Sequence, residues 1–249
     1  MHYAVRILDV EVDAVTADEA VGLITDAIDA RHGHGAPSFQ VATVNPEFVM
    51  HARRDAAFRR ILRDCALRTP DGAGLMLGAR ILGHPLPQRV PGVEMVIDLA
   101  RAAATRGDRL FLLGGAPGVA EAAAEALRRA APGVEVAGTL AGDAGEEGDA
   151  AALSAISASG ADIVLVAFGA PAQELWSSRN LAVSGAAVAI GVGGTFDYLS
   201  GTVRRAPRVM RRLGLEWLFR LAQQPSRWRR MAVLPVFLLL VVRQRVLRR

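Results

Sequence analysis

Asp71 lies in the string Thr69-Pro70-Asp71-Gly72-Ala73-Gly74, at the expected end of a strand and the start of a helix. A carboxylate at the carboxyl edge of a sheet can face a ligand crevice and take a proton from a hydroxyl. Turn chemistry explains the same Pro-Asp-Gly tripeptide without any ligand. Thr43 and Asn45, in Thr43-Val44-Asn45-Pro46-Glu47, stand at a second expected strand end, where they can exchange hydrogen bonds with a sugar or a phosphate. An Asn-Pro turn is the competing explanation, and Glu47 suits the positive end of the next helix.

Two glycine-rich turns raise the question of a phosphate. Gly114-Gly115-Ala116-Pro117-Gly118 and Gly191-Val192-Gly193-Gly194-Thr195-Phe196-Asp197 each end an expected strand, a setting in which free backbone amides favour an anion. Neither has Walker or dinucleotide spacing. In Gly169-Ala170-Pro171-Ala172-Gln173-Glu174, an amide and a carboxylate enter a helix at the same edge, able to read a base or ribose or simply to cap the helix. Arg204, Arg205, Arg208, Arg211, Arg212, Arg220, Arg227 and Arg230 follow, and guanidinium forks match diphosphate oxygens. A solvated basic face explains any one of them alone. There is no H-E-x-x-H, no cysteine pair and no Asp-x-Asp, so neither a metal nor a cofactor is expected.

Strand–helix alternation must position these groups. Val5–Val12 reads as a strand or hairpin, and Thr16-Ala17-Asp18-Glu19 is a capping box opening a helix to about Arg31. Strands are expected at 39–44, 66–69, 110–113, 134–137, 163–168 and 187–191, and helices at 55–64, 92–106, 119–130, 149–159 and 172–180. That alternation predicts an α/β fold with a mainly parallel, Rossmann-like sheet flanked by helices. Pro207 opens a further expected helix, with Met210, Leu213, Trp217 and Leu221 on one stripe, which Pro225 ends.

Charge divides the chain of 249 residues at about residue 204. All 29 basic residues are Arg, and thirteen fall in 204–249 beside a single acid, Glu216, so that segment carries +12 and residues 1–203 carry −8. We therefore read 1–203 as the α/β core and 204–249 as a basic helical appendage. Its uncharged run 232–242 spans only ~17 Å as a helix, enough to dip into a membrane but not to cross it. A basic tail on an acidic body seeks an anionic partner. An apolar run beside the arginines fits a membrane surface better than nucleic acid, which wants spaced aromatics for stacking. The lone Cys65 suits a reducing compartment, and no basic stretch with a following apolar run marks a signal peptide.

The strings around Thr43, Asp71, Gly169 and Gly191, with Arg89-Val90-Pro91-Gly92, Arg205-Ala206-Pro207 and Leu215-Glu216-Trp217-Leu218-Phe219-Arg220-Leu221, occur together in order. Together they closely resemble the WecG/TagA/CpsF family of bacterial glycosyltransferases, over almost the whole chain. The resemblance implies an inverting, metal-independent transfer of an N-acetylmannosamine-like hexose. The implied donor is a UDP-sugar, and the implied acceptor is a polyprenyl-diphosphate-linked sugar used for cell-surface polysaccharide. It implies Asp71 as general base with Thr43 beside it. Substrate contacts are expected from Asn45, Arg89, Gly114, Gly169, Pro171, Gln173, Glu174, Gly193, Gly194 and Asp197, and diphosphate or membrane contacts from the eight arginines of 204–230. The expected location is the cytoplasmic face of the membrane, peripheral or monotopic, with a homo-oligomer left open. A non-catalytic nucleotide- or lipid-binding protein on the same fold is the alternative.

Overall fold

The computed structural model describes residues 3–247, without the side chains of residues 212, 227 and 229. The contacts expected of Arg212 and Arg227 thus fall outside the described residues. The chain opens on an antiparallel hairpin, β1 (Ala4–Ile7) and β2 (Val10–Asp13). α1 (Ala17–His34) starts on the expected capping box, the Glu19 carboxylate accepting the Thr16 amide at 2.7 Å while Thr16 Oγ1 accepts the Glu19 amide. Then come β3 (Phe39–Val44), α2 (Pro46–Ala52), α3 (Ala56–Asp64), β4 (Leu67–Pro70) and α4 (Ala73–Leu82). α5 (Gly92–Arg106), β5 (Arg109–Gly114), α6 (Val119–Ala130), β6 (Glu135–Leu140) and α7 (Glu146–Ser159) continue the alternation, followed by β7 (Ile163–Ala167), α8 (Ala172–Asn180), β8 (Val188–Gly191) and α9 (Thr195–Leu199).

Six strands form one parallel sheet in the order β4-β3-β8-β7-β5-β6. Both faces are covered, which is why the strands read as apolar runs. α1, α5, α6 and α9 pack one face around Ile24, Leu99, Leu112 and Ile190. On the other, α7 and α8 pack around Trp176 and Val164, while α2, α3, α4 and the hairpin pack around Phe58 and Leu75. The neighbours β3 and β8 send their following helices to opposite faces, α2 to one and α9 to the other. A crevice opens at such a divergence, outside the carboxyl ends of the strands.

The basic segment departs from the expected single helix between Pro207 and Pro225. Gly214, left-handed at φ 74°, divides it into α10 (Arg208–Arg212) and α11 (Glu216–Gln223). A side chain there would strain the backbone and meet Ala73, so glycine permits both the break and the approach to α4. Short α12 (Trp228–Met231) leads to α13 (Val233–Leu247).

The uncharged run divides in function along α13. Phe237 and Val241 are fully buried in the core shared with α2 and α4. Gly78 of α4 makes room for the Phe237 ring, since any side chain there would run into it. The outward face is apolar as well: Val236, Leu239, Val242, Val246 and Leu247 are exposed, Leu239 to 69% and Leu247 to 73%. A surface helix normally turns polar side chains outward. Among the described residues, no helix is long and apolar enough to cross a membrane.

Candidate active site

A cavity of about 450 Å³ occupies the predicted edge, between the carboxyl ends of β3, β4, β7 and β8 and the arginine-bearing segment that closes over them. Its floor holds Asp71, one residue past β4. The backbone amide of Asp71 donates to Val44 O at 2.8 Å, tying the end of β4 to the end of β3. Its carboxylate accepts the Gly72 amide at 2.6 Å and otherwise faces the cavity. Although open to the cavity, the group is walled by protein. Burial pushes its pKa up to about 6, while Arg89 and the Gly72 amide pull it down and Glu216 and Glu94 add to the rise. A carboxyl so tuned is ionised at neutral pH yet is a stronger base than a solvated aspartate.

Thr43 and Asn45 line the same floor with their other valences already engaged. Thr43 Oγ1 donates to Gly191 O at 2.8 Å, leaving its lone pairs to accept from a ligand. Asn45 Oδ1 caps α2 by accepting the Glu47 and Phe48 amides. The turn-and-cap explanation therefore holds for its oxygen, while the residue still reaches the cavity.

Gln173 joins the two glycine turns. Its Oε1 accepts from Gly169 N at 3.1 Å and Gly193 N at 2.9 Å, and its Nε2 donates to Glu174 Oε1 at 2.7 Å. The pair presses on Gly191, where any Cβ would collide with both side chains. Glu174 is buried behind this clamp rather than lining the cavity, and burial pushes its carboxyl up to about 8, partly offset by the Gln173 hydrogen bond. Gly169, Gly193, Gly194 and Asp197 line the cavity; Pro171 and Gly114 do not. Gly114 instead backs onto Ala167, too closely to admit a side chain.

The arginines of the closing segment meet carboxylates from the core. Arg230 pairs with Glu47 through two hydrogen bonds, of 2.6 and 2.9 Å. Arg205 and Arg211 share Glu94 at 2.5 and 3.1 Å. Glu216, the segment's single acid, lies 3.5 Å from both Arg89 and Arg205. Arg220 stands over the Tyr198 ring, 4.7 Å from its centre and 3.7 Å from Asp197, and its Nε and Nη2 have no hydrogen-bond partner among the described residues. Gly194 admits this guanidinium against the β8 turn. Arg89, Arg205, Arg220 and Arg230 line the cavity, whereas Arg204 and Arg208 point to solvent outside it.

Sequence reasoning passed over Glu216, Glu94 and Tyr198 as site residues. Only Glu216 carried a signal, as a lone acid among thirteen arginines. Among the described residues, no group of three or more His, Cys, Asp or Glu is placed to hold a metal. The arrangement as a whole can accept a proton from a hydroxyl on the floor and receive an anionic group beneath the arginines.

Comparison with known proteins points the same way. The profile of the Glycosyl transferase WecG/TagA/CpsF family matches residues 5–249. The chain is 34% identical over 203 residues to an N-acetylglucosaminyldiphosphoundecaprenol N-acetyl-beta-D-mannosaminyltransferase of Bacillus spizizenii, covering 82% of this chain and 78% of the relative. It is 32% identical over 204 residues to the enzyme of the same description from Bacillus subtilis, covering 82% and 79%.

Proposed function

The chain belongs to the WecG/TagA/CpsF family of glycosyltransferases, and from that premise we propose that it moves an N-acetylmannosamine-like hexose from a UDP-sugar to a polyprenyl-diphosphate-linked sugar. The position of Asp71 carries the proposal: a desolvated carboxylate on the cavity floor, facing a ring of arginines. The descriptions of both relatives, which pair a mannosaminyl group with a diphosphoundecaprenol-linked N-acetylglucosamine, support the choice of sugar and acceptor.

In the proposed reaction an acceptor hydroxyl attacks the anomeric carbon as the bond from that carbon to the diphosphate oxygen breaks. UDP leaves with the bonding electrons, and the hydroxyl proton passes to Asp71. Attack from the face opposite the diphosphate inverts the anomeric centre, in keeping with the beta linkage in the relatives' description. Proton removal by a placed base contributes ~10²–10⁴ in rate. Arg89, Arg220 and Arg230 receive the growing negative charge of the diphosphate, a role that fixed cations fill without reorganisation. Gln173 holds the Gly169 and Gly193 turns in place against the nucleotide. No metal takes part in this scheme.

The enzyme works at the cytoplasmic face of the membrane, with the exposed apolar face of α13 lying in the lipid interface. The reaction is tested by measuring UDP or GDP release across a panel of sugar nucleotides with a short-chain lipid-diphosphate acceptor. Acceptor-dependent UDP release with UDP-N-acetylmannosamine is expected. Turnover with GDP-sugars alone would contradict the donor assignment.

A further inference from the structure

A second cavity, of about 460 Å³, lies toward the C-terminal end of α13, between that helix and the β1–β2 hairpin, whereas the active-site cavity meets the helix at its start. Arg6 from β1, Arg53 from the end of α2 and Arg243 from α13 converge on it, with Leu240 and Leu247 forming its apolar wall. Asp9 also faces the groove and pairs with Arg53 at 3.0 Å. Arg6 and Arg243 are exposed, and their side chains form no ion pair or hydrogen bond among the described residues. The charged side chains lining the groove sum to +2, with Glu11 opposite Arg6 on the hairpin and outside that lining.

The hairpin turn beside it is held in an unusual state. Leu8 is the one non-glycine residue with positive φ, 54°, among those described. A bulky side chain is disfavoured there by ~1–2 kcal/mol. Its amide is fixed by Gln244 Oε1 of α13 at 2.8 Å, so the turn that carries Asp9 is tied directly to the helix. Arg243 is also the only charged side chain on the exposed arc of α13 formed by Val236, Leu239, Val242, Val246 and Leu247. Cationic groove and apolar arc thus meet at one edge, as headgroup and acyl chains meet at a bilayer surface.

We propose that the groove between α13 and the β1–β2 hairpin binds the phosphate of an anionic phospholipid headgroup through Arg6 and Arg243, while the outer face of α13 enters the acyl layer. The inference rests on the membrane reading given above and adds to it a defined headgroup site. Two guanidiniums on one phosphate suit that anion's geometry, and Arg53, neutralised by Asp9, walls the site without adding to its net charge.

Flotation of the full chain with two vesicle types tests it: phosphatidylcholine alone, and an equimolar mixture of phosphatidylcholine and phosphatidylglycerol. The wild type is expected to prefer the anionic vesicles. Arg6→Ala with Arg243→Ala should weaken that partition about twenty-fivefold, roughly fivefold for each arginine, and leave binding to neutral vesicles unchanged. Arg128→Ala with Arg129→Ala, on α6 across the sheet, should change it less than about twofold. Equal wild-type partition to both vesicles overturns the headgroup site while sparing the membrane reading; partition to neither overturns both. An unaffected groove pair, or an equal loss from the α6 pair, also overturns the site. Near-ultraviolet circular dichroism confirms that each variant is folded.

Discussion

Arg230 and Glu47 form a two-pronged ion pair, Nε to Oε1 at 2.6 Å and Nη2 to Oε2 at 2.9 Å, between residues 183 positions apart. Glu47 sits in the first turn of the helix after β3, and Arg230 lies in the short helix α12 just before α13. The carboxylate occupies the fork that the proposed scheme assigns to a diphosphate. On that scheme an entering diphosphate displaces Glu47 and replaces an interaction that holds the segment closing the cavity.

Removing the competitor and removing the cation should act in opposite directions. Glu47→Gln is expected to tighten UDP binding by roughly two- to fivefold, and Arg230→Ala to weaken it by about tenfold or more, in line with a charge-assisted pair. Titration calorimetry with UDP reads both. Weaker binding by Glu47→Gln would show that the carboxylate serves the ligand rather than competing with it.

If Asp71 is the base, as proposed, its raised pKa should set the acid limb of the rate profile. A general base must be ionised, so kcat/KM should rise with pH through about 6 and level off above it. An ordinary aspartate near 3.8 would place that limb about two units lower. Arg89→Ala removes a charge that favours the ionised form, so it should move the limb to higher pH. A limb unmoved by Arg89→Ala would separate it from Asp71.

Gly191→Ala tests the clamp made by Gln173. A methyl group there collides with the Gln173 amide and the Glu174 carboxyl, and overpacking of this kind costs about 1–3 kcal/mol. We expect a lower melting temperature and a fall in kcat/KM of at least about tenfold. Gln173→Glu should also lower activity, since its Glu174 contact becomes one between two carboxyl groups. Full activity in both variants would remove the clamp from the account.

The two faces of α13 should respond differently to substitution. Phe237→Ala empties a fully buried site and should cost about 3–5 kcal/mol, read by urea unfolding. Leu239→Ala, at a residue 69% exposed, should change stability by less than about 0.5 kcal/mol and lower membrane partition instead. Equal stability losses would mean that both faces are covered by protein.

Much of this arrangement was legible in the chain itself. α5, α6 and α8 run over the expected residues because glycine and proline punctuate a clear helical period. The polar strings at the ends of β3, β4, β7 and β8 marked the edge where the cavity lies. That β3 lies against β8 could not be read, since the pairing joins residues far apart in sequence and local pattern is silent about it. The Glu47–Arg230 pair was hidden for the same reason. An apolar run charged only at its flanks suggested that 232–242 could dip into a membrane, but not that α4 covers one side of it. Gly214 was the missed local signal, an isolated glycine inside a helical pattern where the helix does break.

The most direct test of the account is the rate of sugar transfer by Asp71→Asn at saturating UDP-N-acetylmannosamine and lipid-diphosphate acceptor. Asparagine keeps the shape and a hydrogen bond from Gly72 but cannot take the proton. We expect kcat to fall by about 10²–10⁴, with the Kd for UDP within about threefold of wild type. Turnover within a few-fold of wild type would contradict the assignment of Asp71 as the base.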